Sequence, residues 1–324
     1  MYRHINLDRY YWLSFNDPFS VNDLKKEIEQ DNSTIVFSMV WEDYDIKKID
    51  EEYFTPVISK LVKDYILVLT PHAQEQNYHI ENAIYVDFFA LRTQRKITVQ
   101  NTKWNSSAKK ALLLTGKAEK PHRIGLLGQF YKAGLMDRLE WSLFINQPSE
   151  QYKYLVTQSI DFDKFISECT RNPDNIDIDM QGTSSHYGGF PFDVKLYSNT
   201  VMSVISESRF NDSIWLTEKT FKAIANKHPF IMAASSGTLG KLKQMGLRTF
   251  EKYLQITNYD GLHYQKRLDS IVVNTEYFLD NFEKYKQQIN EDVEYNYNWY
   301  LDYCKSESSK LECYGILESF SSEE

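Results

Sequence analysis

The chain has 324 residues, of which 42% are hydrophobic and 15% aromatic, so it is long and apolar enough to form two domains. Its net charge of −8 argues against a surface that binds polyanions throughout, and its three cysteines lack the C-x-x-C spacing of zinc or redox sites. The first residues contain no apolar leader, and no apolar run approaches the length of a membrane span. We therefore expect a cytoplasmic protein with no membrane partner.

Short apolar runs alternate with helical patterns along the chain. Continuous apolar runs are typical of strands that are covered on both faces of a sheet, and their alternation with helices predicts an α/β, doubly wound architecture. A polar stretch at 171–189 predicts a long loop near a domain junction. The apolar runs lie at 34–40, 65–70, 83–89, 111–115, 201–206 and 229–234, and the helical patterns lie at 122–135, 217–227, 238–246 and 296–307.

The positive charge is unevenly distributed. Residues 92–138 contain eleven lysines or arginines and two acidic residues, a local excess of nine positive charges in an acidic protein. A solvated, lysine-rich face and a field that attracts phosphate both explain such a segment. With Trp104 and Tyr131 among its bases, the segment is also compatible with contact to a DNA backbone.

Polar side chains follow several of the predicted strands. In open α/β sheets, ligands bind at the carboxyl ends of the strands, so these side chains are candidates for a binding site. The candidates are Glu42 and Asp43 after the first run, Lys117, Lys120, His122 and Arg123 after the fourth, Ser206, Glu207 and Arg209 at the end of the fifth, and Ser235, Ser236 and Gly237 after the sixth.

The segment WLTEKTFKAIANK, residues 215–227, predicts a helix with an unusual start. Thr217 is placed to cap the helix, and Glu218 and Lys219 lie in its first turn. An acid at this position favours the helix dipole and needs no ligand, whereas a lysine opposes the dipole. Because free backbone amides at a helix start bind phosphate, the lysine predicts a bound anion here.

The chain contains no glycine motif of a nucleotide-binding protein, since neither GxGxxG nor GxxxxGK[ST] occurs. This disfavours a simple dinucleotide enzyme or a kinase. Three D-x-D pairs, which begin at Asp43, Asp161 and Asp177, have the carboxylates that hold Mn²⁺ or Mg²⁺ in other proteins. Three such pairs are expected by chance in an acidic chain, so we predict no metal site.

Two segments resemble a known family. Residues 203–256, which combine SE, TEK, the apolar PFI and a final TF, resemble the donor half of a set of phage and viral glycosyltransferase-like proteins. The TEK segment also looks like the nucleotide-sugar segment of the fucosyltransferases. Residues 120–144, which begin KPHRIGLLGQFYKAGL, are similar to a block that precedes this segment in the phage set. Together the two segments cover about a quarter of the chain.

The resemblance implies a GT-B arrangement of two facing Rossmann-like lobes. Residues 1–148 would form the acceptor-side lobe and 149–324 the donor lobe, with the last helix returning to the first lobe. Ser208 and Arg209 stand where the fucosyltransferases have Asn-Ser, so fucose itself is not supported. The implied donor-binding residues are Arg123, Ser206, Arg209, Thr217, Glu218 and Lys219, with Arg123 on the opposing lobe and Glu207 as the acid near the sugar.

The resemblance also implies the reaction, which is glycosyl transfer from a nucleotide-diphosphate sugar that serves as substrate rather than as a bound cofactor. An inverting reaction needs a carboxylate base, for which Glu42 and Asp43 are the candidates, and a retaining reaction needs none. The phage set implies a hydroxymethylated pyrimidine in DNA as the acceptor and a host cytoplasm as the location. A saccharide or protein acceptor, or a non-catalytic module that binds nucleic acid or nucleotide, remains an alternative.

Overall fold

The chain divides into two compact units, each with one parallel sheet. The first unit comprises Met1–Leu91 and Tyr303–Glu324, and the second comprises Arg92–Asp302. The structure is a computed structural model that describes residues 2–6, 26, 34–39, 65–69, 83–97, 108–117, 120–144, 161–169, 194–210 and 213–313.

The sheet of the first unit has four parallel strands in sequential order. Leu67, Val68 and Leu69 of its third strand are buried, as expected for a strand that is covered on both faces. Its strands are β1 (Tyr2–Asn6), β2 (Thr34–Met39), β3 (Tyr65–Leu69) and β4 (Ala83–Tyr85), and helix α1 (Phe88–Ile97) follows them.

The sheet of the second unit has four parallel strands in the order β6-β5-β7-β8. Parallel neighbours need a crossover, and helices supply two of them, α2 between β5 and β6 and α5 between β7 and β8. The strands are β5 (Ala111–Lys117), β6 (Leu139–Phe144), β7 (Met202–Ser206) and β8 (Phe230–Ala233). The helices are α2 (Pro121–Lys132), α3 (Phe162–Cys169), α4 (Val194–Ser198), α5 (Glu218–Ala225) and α6 (Thr238–Gln244).

The last described element is α7 (Tyr264–Glu312), a helix of 49 residues that includes the predicted aromatic helix at 296–307. The division between the two units falls inside it, since Asp302 ends the second unit and Tyr303 begins the last part of the first. Its buried side chains include Phe278, Ile289 and Tyr300. In the described ranges, no helix is both long and apolar enough to cross a bilayer.

The α/β prediction is confirmed as parallel strands that alternate with helices. The predicted strand at 83–89 is wrong at its carboxyl end, because the Asp87 carboxylate accepts a hydrogen bond from Ala90 N at 3.0 Å and caps α1 there. The strand β6 was not predicted, because Glu140 and Ser142 interrupt the apolar run of this edge strand.

The division into units differs from the predicted boundary between residues 148 and 149. The strand β5 pairs with both β6 and β7, so the segments before and after this boundary belong to one sheet. The predicted boundary therefore lies inside the second unit. Strand pairing of this kind depends on contacts between distant parts of the chain, which local composition does not reveal.

Candidate functional site

The strand order of the second sheet reverses between β5 and β7. From β5 the chain passes through α2 to β6 on one side, and from β7 it passes through α5 to β8 on the other. Open α/β sheets bind ligands at such a reversal, at the carboxyl ends of the strands. The ladder between these strands pairs Ala111 with Met202 and Leu112 with Ser203, near their amino ends. The expected crevice therefore lies between their carboxyl-terminal halves.

The helix α5 begins as the sequence predicts. Thr217 is its N-cap, and the Thr217 Oγ1 atom accepts a hydrogen bond from Lys219 N at 3.4 Å. One face of the helix is buried, with Phe221 and Ile224 each no more than 1% exposed. The prediction for the start of this helix is confirmed.

Glu207, which directly follows β7, is fully buried and tied to the start of α5. Its Oε1 atom accepts hydrogen bonds from Thr217 N at 3.0 Å and from Thr220 Oγ1 at 2.6 Å. Its Oε2 atom accepts from Thr217 Oγ1 at 2.5 Å and from Ser208 N at 3.3 Å. The carboxylate therefore holds a helix start inside the protein, whereas the resemblance implies an acid beside the sugar.

The backbone of Glu207 joins two further elements. Its N–H group donates to Ala233 O of β8 at 3.0 Å, and its carbonyl oxygen accepts from His122 Nε2 of α2 at 2.8 Å. A single residue thus connects the first turn of α2, the end of β8 and the start of α5. This junction fixes the elements that surround the reversal point.

The sequence predicted free backbone amides at the start of α5. The structure corrects this prediction, because these groups already have acceptors. The N–H groups of Thr217 and Lys219 donate to Glu207 Oε1 and to Thr217 Oγ1, respectively, and the N–H group of Thr220 donates to Thr217 O at 3.2 Å. Capping by the chain itself satisfies donors that would otherwise bind a phosphate. An anion at this position must therefore be held by side chains.

Glu218, in the first turn of α5, lies close to lysine side chains. Lys219 Nζ lies 2.6 Å from Glu218 Oε1 and 3.3 Å from Thr217 Oγ1, and its side chain is 28% exposed. Burial acts to raise the pKa of Glu218, but the charges of Lys219 and Lys222 outweigh burial and hold that pKa below its usual value. Two lysines thus act on Glu218, while the Glu207 carboxylate brings a second acid to the same helix start.

The first turn of α2 brings further positive charge to the same end of the sheet. Arg123 is 8% exposed and belongs to the same unit as Glu207, which corrects the expectation that it reaches in from an opposing lobe. Burial lowers the pKa of the neighbouring His122 to about 3, and the charges of Arg123, Lys120 and Arg267 act in the same direction. His122 is therefore neutral near pH 7 and lies in a positive field.

The loop after Arg209 is fixed by an aromatic stack. The Phe210 ring lies parallel to the His122 ring, with centroids 5.1 Å apart and an interplanar angle of 9°. The Arg267 guanidinium lies 4.1 Å from the centroid of the Phe210 ring, and its Nη2 atom donates to Phe210 O at 2.6 Å. Arg209 itself is half-buried. The stack therefore holds Phe210, the residue that follows the predicted donor-binding Arg209, in place.

The small-residue loop after β8 is also closed by the chain. Asp260 Oδ2 accepts hydrogen bonds from Gly237 N at 2.9 Å and from Leu239 N at 3.2 Å, at the start of α6. Gly237 has a φ of 88°, a value that favours glycine. Ser206, another predicted donor-binding residue, is 1% exposed and its hydroxyl is buried. The backbone of this loop therefore offers fewer donors than its composition indicates.

The basic segment does not form one surface where it is described. Lys120 and Arg123 follow β5 at the carboxyl end of the sheet, whereas Lys110 precedes β5 and Arg138 precedes β6 at the amino end. Lys110 lies 4.0 Å from a Glu140 carboxylate oxygen, and Arg138 pairs with the Asp280 carboxylate at 2.7 Å. These four bases are therefore divided between the two ends of the sheet.

Some predicted residues lie outside the described part of the chain. These include Glu42 and Asp43, the candidate bases, and the D-x-D pair that begins at Asp177. The described ranges contain no cluster of three or more His, Cys, Asp or Glu side chains that is suited to a metal ion.

The sequence singled out His122 as a candidate, whereas the structure adds Thr220 and Lys222 to the site. The partners of His122, Thr220 and Lys222 lie 85, 13 and four positions away in sequence. Arg267 and Asp260 come from a region without any recognised motif. The one local signal for Thr220 was its position three residues after the capping residue Thr217. Comparison of the chain with protein-family models, with curated proteins and with solved structures gave no match.

Proposed function

We propose that the chain is a nucleotide-sugar-dependent glycosyltransferase of the GT-B type that holds its donor in the second unit. The observation that carries the proposal is the gathering of positive side chains at the reversal point of the second sheet. Arg123 follows β5, and Arg209 and Lys219 follow β7, in the two segments that resemble the transferase family. The positive field at His122 supports the same location.

The chemistry of glycosyl transfer requires fixed positive charge. The reaction expels a nucleoside diphosphate, and cations that are already in place stabilise the negative charge that develops on it. Lys219 and Arg209 are the candidates for this role, and Arg123 is suited to contact a phosphate with two N–H groups. Since the described amides at the start of α5 already have acceptors, side chains carry the binding in this proposal.

The role of Glu207 in this proposal differs from that of a catalytic acid. Its carboxylate accepts four hydrogen bonds and has no exposed surface, so we assign it to holding α5 in place. The base of an inverting reaction remains a prediction that falls on Glu42 or Asp43.

The first test measures donor binding. Thermal unfolding of the full chain is recorded with UDP-, GDP- and CMP-sugars and with the corresponding nucleoside diphosphates. A donor at 100-fold excess over its Kd adds about 2.7 kcal/mol to the free energy of unfolding. We expect one nucleotide series to raise the Tm, and an enzyme assay with that donor to release its nucleoside diphosphate. A protein that no donor stabilises would contradict the proposal.

The second test compares two matched lysines on either end of α5. Lys219 and Lys227 are 28% and 26% exposed and pair with glutamates at 2.6 and 2.8 Å, but Lys227 lies beyond the carboxyl end of the helix. We expect Lys219→Gln to remove donor binding and Lys227→Gln to retain it, with similar small changes in stability because both pairs are partly exposed. Equal loss of binding in both variants would contradict a site at the start of α5.

A non-catalytic nucleotide-binding module is the second candidate. The burial of Glu207 favours it, because this removes the one described carboxylate that the resemblance places near the sugar. This candidate predicts that a nucleotide raises the Tm but that no donor is hydrolysed or transferred. Transfer assays with hydroxymethylated DNA, a saccharide and a protein acceptor separate the two candidates and identify the acceptor.

A further inference from the structure

We propose that His122 is a positioning residue, which locks the first turn of α2 to the loop after β7 so that Arg123 and Arg209 act on one anion. The identification of that anion as a diphosphate rests on the proposed function. The geometric part of the inference concerns only the described contacts of His122.

His122 lies next to the reversal point of the second sheet, in the first turn of α2. The ladder between β5 and β7 pairs residues near the amino ends of these strands, and His122 joins the segments that follow their carboxyl ends. Its Nε2–H group donates to Glu207 O at 2.8 Å, so the connection reaches the residue directly after β7. The imidazole therefore spans the reversal point from one segment to the other.

The His122 ring also contacts the loop after β7. The His122 ring stacks on Phe210, which follows Arg209 directly, at a centroid distance of 5.1 Å. The hydrogen bond and the stack thus fix the chain on both sides of Ser208 and Arg209. Since Arg123 is the next residue after His122, one ring fixes the backbone next to both arginines.

The surroundings of His122 favour its neutral form. Lys120, Arg123 and Arg267 all act against protonation of His122, and burial has the largest effect. A neutral imidazole donates one hydrogen bond and presents a flat ring without adding charge that would repel the neighbouring cations. A lysine or arginine cannot meet these conditions at this position. The residue type therefore fits a structural connection between cationic groups.

The experiment measures the affinity of the full chain for inorganic pyrophosphate by titration calorimetry. His122→Phe keeps a flat ring and removes the donor, and His122→Gln restores an N–H donor near the position of Nε2. We expect the Phe variant to weaken pyrophosphate binding by about tenfold or more, and the Gln variant, which has a donor but no ring to stack on Phe210, to recover part of that loss. Phe210→Leu removes the stack and keeps the donor, and we expect an intermediate loss.

His228 supplies a matched control in the same sheet. It is also buried, with a pKa lowered by burial to about 4, and its Nε2 atom donates to Tyr197 O at 2.7 Å while Nδ1 accepts from Ser203 Oγ at 2.9 Å. His228→Phe therefore removes a comparable donor at a position without a contact to Glu207 or Phe210. We expect it to lower stability and to leave the pyrophosphate affinity unchanged.

The outcomes decide the inference. Selective loss in His122→Phe with partial recovery in His122→Gln supports it. Wild-type affinity in His122→Phe, or equal losses in the His122 and His228 variants, overturns it, and so does a wild-type protein that does not bind pyrophosphate. If His122→Phe does not fold, His122→Gln and Phe210→Leu decide, since both remove the stack and are expected to weaken binding to a similar extent, and wild-type affinity in both overturns the inference. Failure of sugar transfer with pyrophosphate binding intact contradicts the proposed function alone.

Discussion

Two buried carboxylates hold helix starts after parallel strands, Asp87 in the first unit and Glu207 in the second. Asp87 follows β4 and accepts from Ala90 N in the first turn of α1, and Glu207 follows β7 and accepts from Thr217 and Thr220 at the start of α5. In both cases the sheet delivers an acid to the place where a helix has unpaired N–H groups.

The surroundings of the two acids differ in charge. The four donors to the Glu207 carboxylate are neutral, whereas Asp87 lies beside a second carboxylate, since its N–H group donates to Glu307 Oε2 at 2.8 Å. Lys310 Nζ contacts Glu307 Oε1 at 2.7 Å, and Tyr303 donates to Asp87 Oδ2 at 3.2 Å. Burial, with a smaller contribution from the charge of Glu307, raises the pKa of Asp87 to about 7.

The position of an acid at the end of a parallel strand therefore does not determine its role. A carboxylate at the end of a parallel strand is a candidate for ligand binding. The carboxylates of Asp87 and Glu207 instead accept hydrogen bonds from the starts of helices. The neighbours then decide whether the cap is sensitive to pH. Four substitutions test this contrast between Asp87 and Glu207.

Glu207→Ala is expected to have the largest effect. It leaves Thr217 N, Thr217 Oγ1 and Thr220 Oγ1 buried without their acceptor, and unsatisfied buried donors cost about 1–3 kcal/mol each, so we expect a loss of at least about 3 kcal/mol in the free energy of unfolding. Urea denaturation measures this loss. Glu207→Gln, which keeps one carbonyl acceptor, should recover part of it. An alanine variant with wild-type stability would show that the carboxylate serves a ligand instead.

Asp87→Asn is expected to change how stability depends on pH. The pKa of Asp87 is raised on folding, so its contribution to stability is complete below about pH 4 and is lost as the pH rises towards 7. The asparagine variant lacks this loss, and we expect its stability relative to wild type to increase by a few kcal/mol between about pH 5 and about pH 8. Urea denaturation at several pH values measures the difference.

Asp292→Asn is the control of opposite sign. Burial acts to raise the pKa of Asp292, but Lys252, Tyr253 and Arg248 outweigh burial and lower it. The contribution of Asp292 is therefore present at neutral pH and is lost only in acid, as the pH falls through the lowered pKa. The Asp292 variant should be less stable than wild type by a constant amount between about pH 5 and about pH 8. A flat Asp87 difference over the same range would disprove the contrast between the two acids.

Tyr303→Phe is expected to have the smallest effect. It removes the hydroxyl that donates to Asp87 Oδ2, and one hydrogen bond contributes about 1 kcal/mol to the free energy of unfolding. Because this donor favours the ionised acid, its loss should also steepen the decrease in stability between about pH 5 and about pH 8. Tyr295→Phe, at a side chain that is 41% exposed, should change stability by less than about 0.5 kcal/mol. Equal effects of the two substitutions would contradict a specific role for Tyr303.

Local sequence patterns predicted many of the strands and helices of this protein, but not β1 or β6. Continuous apolar runs predicted β2, β3, β5, β7 and β8, because strands that are covered on both faces must be apolar throughout. Thr217 predicted the start of α5, and the predicted helical pattern at 238–246 ends at Gly246, which follows α6 with a φ of 98°. These features depend on interactions within a few residues, so their signals lie in short stretches of the chain.

Tertiary structure alone decided the order of the strands, the division into units and the partners of the polar side chains. The Asp87–Glu307 hydrogen bond joins positions 220 residues apart, and the His122–Glu207 hydrogen bond joins positions 85 residues apart. The sequence selected Glu207, Arg123 and Lys219 as chemically notable, but it did not indicate that the first would be enclosed by hydroxyl and amide donors. Burial and hydrogen bonding at a point depend on every segment that packs there, and no single stretch of the sequence contains that information.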